Sequence, residues 1–171
     1  MNVQQSPLPI IVVAAPLCVA FILPLVGLWR RSAVFPLSIA ALTTCFAASV
    51  MTARAVLTRG PLDYYLGGWE PPWGIAFHID HLSALMLLLL SFVTLVVGIY
   101  SKRSVLHELR TKEVPFYSVY LLLVTGLVGI VSTADMFNLY VFLEITSLTS
   151  YALVSLGGGP AVVSAFRYVI L

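Results

Sequence analysis

The 171 residues are 60% hydrophobic and only 9% charged, where a soluble domain is roughly half apolar and a quarter charged, so a fold solvated by water on all sides is excluded. The net charge of +2 is too small to mark a nucleic-acid partner.

A membrane-spanning helix needs roughly 20 predominantly apolar residues. Five segments meet that test in chain order: Leu8–Leu28, Ala33–Ala53, Leu82–Tyr100, Phe116–Ser132 and Met136–Leu156. The first reads as a retained helix and not a signal peptide. No Lys or Arg precedes it, and it runs into Trp29-Arg30-Arg31 instead of a small-residue cleavage site. Cys18 and Cys45 lie inside the first two apolar runs and read as small packing residues, not as a disulfide or a metal pair. After the fifth span, Gly157-Gly158-Gly159-Pro160 signals a turn and a new helix start, and Ala161–Leu171 begins a sixth span. The expected fold is an all-α integral membrane bundle, with five full spans plus the start of a sixth, forming one membrane domain over residues 1–171.

Positive residues orient it. Arg30 and Arg31 follow the first span, and Lys102, Arg103, Arg110 and Lys112 follow the third. The loop after the second span holds only Arg54 and Arg59, and the N-terminal tail holds none. The positive-inside rule therefore puts the first and third loops in the cytoplasm and the N-terminus outside. The outer loop over 54–79 carries Tyr64, Tyr65, Gly67, Gly68, Trp69, Pro71, Pro72 and Trp73, and a short hairpin of Tyr64–Trp69 against Ile75–Ile79 is expected within it.

Of the seven acids, Asp63, Glu70, Asp80, Glu108, Glu113 and Asp135 fall in loops or at span ends, and Glu144 alone lies deep in a span. It stands roughly 13 Å along the helix from Asp135, near the bilayer midplane. An ionised carboxylate there costs at least about 2.5–3.5 kcal/mol, so Glu144 is expected to face protein or water and to have a function. Thr133, Phe137, Tyr140, Ser147, Tyr151 and Ser155 project onto its side of the helix at about 100° per residue. The hydroxyls of Thr133, Tyr140, Ser147, Tyr151 and Ser155 could relay protons through trapped water, or could form a polar seam packed against a neighbouring helix. Arg167, the one cation inside a predicted span, could pair with Glu144 or snorkel to the cytoplasmic surface, and the second reading is preferred.

His78, Asp80 and His81 cluster before the third span, but their spacing fits no zinc pattern. An interfacial helix start is expected instead, with Asp80 at the helix N-terminus and Ser83 in its first turn. The sequence contains no phosphate loop, CxxC pair, nucleophile elbow or haem-type histidine pair, and nothing in it argues for a redox centre or a bound cofactor.

Two stretches carry a family resemblance. Leu66-Gly-Gly-Trp-Glu-Pro-Pro-Trp-Gly-Ile-Ala-Phe-His-Ile-Asp80-His-Leu-Ser-Ala-Leu-Met86 is the first. Thr133-Ala-Asp135-Met-Phe-Asn138-Leu-Tyr-Val-Phe-Leu-Glu144, with Ser147 to Tyr151 and the glycine turn behind it, is the second. They resemble the antiporter-like, proton-conducting membrane subunits, and most closely the D-type subunits of multisubunit Na⁺/H⁺ (Mrp-type) antiporters. The large membrane subunits of complex I and of membrane-bound hydrogenases are related.

The resemblance implies a proton channel in which a glutamate, here Glu144, works with a lysine on a later broken helix. It gives Asp135 and Asn138 no part in proton transfer. No Lys follows Lys112, so the resemblance implies either a fragment, the N-terminal part of such a subunit, or a second polypeptide among the other membrane subunits of a multisubunit complex that supplies the lysine-bearing helices. The implied setting is a bacterial or archaeal inner cell membrane, with H⁺ and, in the antiporter reading, Na⁺ as the ions. Three functions follow: a proton-translocating antiporter subunit; a membrane subunit of a complex I-type NADH:quinone oxidoreductase or hydrogenase, catalytic only as part of that complex; or a split subunit with a scaffold role.

Overall fold

The computed structural model describes residues 7–69, 73–109, 112–158, 161–163, 165 and 167. Its membrane-length helices are α1 (Leu8–Trp29), α2 (Val34–Arg59), α3 (His81–Glu108), α4 (Glu113–Ser132) and α5 (Met136–Ser155). The hairpin joining α2 to α3 is antiparallel, β1 (Leu62–Tyr65) on β2 (Ala76–Ile79), with Leu62 opposite Ile79 and Tyr65 opposite Ala76. The first strand lies earlier than the sequence pattern predicts, because Leu66–Gly68 forms a 3₁₀ turn in which Gly67 and Gly68 take positive φ. Glu70, Pro71, Pro72, Arg110, Gly159, Pro160 and most of the expected sixth span fall outside the described residues.

Two helices outrun their apolar cores. α2 continues through Arg54 to Arg59 and stops at Gly60, whose φ of 89° suits glycine alone. α3 continues past Tyr100 through Lys102 and Arg103 to Glu108. Hydropathy marks only the segment matched to the bilayer, whereas backbone hydrogen bonding carries on into the headgroup zone. The start of α3 is as expected: the Asp80 carboxylate accepts from the Ser83 N–H at 2.7 Å. Hydrogen bonds from Ser83 are the main reason the Asp80 carboxyl stays below the usual carboxylate range, with His78 adding to the effect.

α4 is the central element and packs on α1, α2, α3 and α5. Half of its apolar window is buried inside the bundle, against 17% for α5, so α5 sits at the edge. Most polar side chains in this core are satisfied within their own helix, whereas the buried Ser118 hydroxyl has no hydrogen-bond partner among the described residues. Ser38, Ser49, Thr52, Thr125 and Ser132 each donate to a carbonyl four residues back. Tyr120 donates across to the Thr94 carbonyl at 2.7 Å, tying α4 to α3.

Pro16, buried in α1, lacks the N–H that would bond to the Val12 carbonyl. The Cys45 thiol of α2 donates to that carbonyl at 3.4 Å. Cys45 therefore packs as the sequence suggests and also serves a backbone group that proline frees.

Candidate functional site: the glutamate helix

The helix that carries Glu144 is seated on α4 through two glycines. A Cβ on Gly129 would lie 2.4 Å from the Phe142 ring, and one on Gly126 would lie 2.3 Å from the Thr146 hydroxyl and 3.1 Å from its backbone nitrogen. Glycine at both positions lets the two backbones approach closely, which is how membrane helices pack without a hydrophobic driving force. The buried residues of α5 are Asn138, Phe142 and Thr149. At about 100° per residue, Glu144 points some 200° away from Phe142. It is accordingly exposed, on the side of α5 that the described helices leave uncovered.

Both ends of α5 are tied down. On the outer side, the α4–α5 linker is pinned to β2 by a single β-bridge: Phe77 bridges Thr133, and the Ala134 N–H donates to the Ala76 carbonyl at 2.9 Å. Asp135 caps the helix by accepting from the Phe137 N–H, and the Thr133 hydroxyl accepts from Asn138 Nδ2 at 3.1 Å. On the inner side, the Lys112 ammonium donates to the Leu156 carbonyl at 3.0 Å. A cation at a helix C-terminus meets both the open carbonyls and the negative end of the dipole. Gly158, at φ 71°, then turns the chain toward the next helix.

Tyr140 and Phe137 are exposed beside Glu144, and Ser147, Tyr151 and Ser155 follow along the same side, half-buried. Ser155 returns its hydroxyl to the Ala152 carbonyl at 2.7 Å. Thr133 stands apart. It precedes the first turn of α5 in extended backbone, so helical periodicity does not place it, and its hydroxyl belongs to the cap. Arg167 is exposed and is not within salt-bridge reach of Glu144. The one salt bridge among the described residues joins Asp63 to His78 across the outer hairpin. Among the described residues no group of three or more His, Cys, Asp or Glu side chains could hold a metal ion.

Gly126, Gly129 and Lys112 are site-building residues that the sequence reading passed over. The glycines carried a usable signal, small residues three apart on one face of a membrane helix. Lys112 carried none, since its partner is a backbone carbonyl 44 residues away.

The chain as a whole is similar to a defined set of relatives. Residues 72–103 match the sequence family described as NADH-ubiquinone oxidoreductase (complex I), chain 5 N-terminus. The N-type subunit of the NADH-quinone oxidoreductase of Desulforudis audaxviator is 40% identical over 98% of this chain and 34% of its own length. The D-type subunit of the Na⁺/H⁺ antiporter of Bacillus subtilis is 39% identical over 64% of this chain and 22% of its own. The chain is similar to the antiporter-like membrane subunits.

Solved structures agree. The archaeal membrane-bound sulfane sulfur reductase contains a chain that superposes with a TM-score of 0.90 at 29% identity, covering 97% of this chain and 34% of that one. A chain of the Mrp complex from Dietzia superposes at 0.70 and 26%, covering 90% of this chain and 28% of that one. Among these relatives of the antiporter-like family, the chain spans between 22% and 34% of the partner's length.

Proposed function

We propose that this chain forms the N-terminal part of a proton-translocating subunit of a multisubunit cation/proton antiporter in a bacterial or archaeal inner cell membrane. The observation that carries the reading is that Glu144, expected near the bilayer midplane from its place in the span, is exposed on a face of α5 that the described helices leave open. Lipid is a costly neighbour for that carboxylate, which supports a covering of protein that brings a cation. In this proposal the cover is the set of lysine-bearing helices, contributed by further sequence of the same subunit or by a second polypeptide. A lysine approaching Glu144 favours the ionised acid, and one withdrawing favours the neutral acid, so each cycle takes up and releases one proton. Tyr140, Ser147, Tyr151 and Ser155 line the route along the helix, and Na⁺ is the exchanged ion.

A second reading, in which electron transfer instead of Na⁺ drives the same proton step, is favoured by the NADH-quinone oxidoreductase relative and by the fit to the sulfane sulfur reductase chain. The test is Glu144→Gln and Glu144→Asp in the assembled complex in inside-out vesicles, with a pH-sensitive dye as readout. Glu144→Gln is expected to abolish proton movement, and Glu144→Asp to retain part of it. Full proton movement in Glu144→Gln would leave a scaffold role as the better account. Dependence of the signal on Na⁺ or on an electron donor separates the two drives.

A further inference from the structure

α1 and α4 meet at their cytoplasmic ends, where Gly27 lets the Val114 side chain approach so closely that a Cβ would sit 2.7 Å from its Cγ2. At that contact lies a cleft of about 230 Å³ lined by Pro24, Gly27, Leu28, Val114 and Pro115 together with Arg31 and Glu113. The two charges share one small cleft, yet they form no salt bridge with each other. The level is that of the membrane surface, since Trp29 beside them is 94% exposed and Arg30 and Arg31 mark the cytoplasmic boundary. Pockets that enclose a whole drug-sized molecule run to roughly 300–1,000 Å³, so this one suits a headgroup held at the rim with its chains outside.

We infer that the cleft binds the phosphoethanolamine headgroup of a cytoplasmic-leaflet phospholipid. Its phosphate would take the Arg31 guanidinium, which matches a phosphate with paired N–H donors. Its ammonium, a short ethyl arm away, would donate to Glu113. The acyl chains would run down the apolar wall of Pro24 and Leu28. Phosphatidylglycerol offers no cation for Glu113, and the quaternary ammonium of phosphatidylcholine has no N–H to donate. The pair of opposite charges thus selects the primary ammonium.

The experiment places the full-length subunit in nanodiscs of equal parts phosphatidylethanolamine, phosphatidylglycerol and phosphatidylcholine, and reads the retained lipid by native mass spectrometry. The wild type is expected to retain phosphatidylethanolamine about two- to fivefold over phosphatidylglycerol, the range an exposed ion pair supports. Glu113→Gln removes that preference, Arg31→Gln lowers retention of both lipids, and Glu113→Lys reverses the order toward phosphatidylglycerol, which a misfolded variant would not do. Arg103→Gln, on the same side of the membrane but outside the cleft, leaves the preference intact. No preference in the wild type, a preference that survives Glu113→Gln, or an equal loss on Arg103→Gln would each overturn the assignment.

Discussion

Gly129→Ala gives the sharpest test of how α5 is seated. The added methyl carbon would lie 2.4 to 2.6 Å from three ring atoms of Phe142, where carbon atoms ordinarily rest about 3.5–4.0 Å apart. Phe142 is only 7% exposed, so its ring has little room to swing. The clash is therefore relieved by moving α5 off α4 by about 1 Å, at the cost of about 1–3 kcal/mol typical of overpacking. Phe142→Ala, which empties the same space, is expected to cost about 3–5 kcal/mol. In the double variant the new methyl occupies part of the vacated volume. The two changes then compensate, and the double-mutant cycle returns a favourable coupling of about 1–3 kcal/mol. Equilibrium unfolding in mixed micelles measures all four proteins. Additivity within about 0.3–0.5 kcal/mol would refute the contact, because residues that do not touch add.

Three further outcomes follow from the same geometry. Asp80→Asn weakens the N-cap of α3 at neutral pH. Because the carboxyl is held low in the folded protein, its stabilising effect is present above the ordinary carboxylate range and fades as pH falls through the lowered value, so wild type and variant converge in acid. Thermal melts across pH check this. Lys112→Met frees the Leu156 carbonyl, raises amide exchange in the last turn of α5 and costs about 0.5–1.5 kcal/mol, while Lys112→Arg preserves protection. Cys45→Ala leaves the Val12 carbonyl beside Pro16 unserved and lowers stability by about 1 kcal/mol, and Cys45→Ser, which keeps a donor, recovers most of it in the same melts.

The spans were readable because bilayer thickness imposes a length that hydropathy reports directly, and because the arginines and lysines alternate in step with the loops. The Asp80 cap was readable too, since an acid three residues before Ser83 is a local signal. The register of the hairpin was less accessible. Gly67 and Gly68 could extend a strand or turn it, and only their positive φ decides for the turn. For α5, periodicity grouped Phe137, Tyr140, Ser147, Tyr151 and Ser155 with Glu144, but it could not say which face α4 would take. That choice rests on Gly126 and Gly129, on another helix, and on the fit of Phe142 and Thr146 against them. Thr133 was grouped with the face because a wheel extends any pattern past the helix end, whereas the backbone is extended there and the hydroxyl serves Asn138.

The central claim is that Glu144 itself gains and loses the proton. The most direct measurement is infrared difference spectroscopy of the assembled complex during turnover, comparing wild type with Glu144→Gln in the region of the protonated carboxyl stretch. The account predicts a carboxyl band in the wild type that vanishes in Glu144→Gln together with proton movement. A band of unchanged size in Glu144→Gln, with proton movement intact, would contradict it.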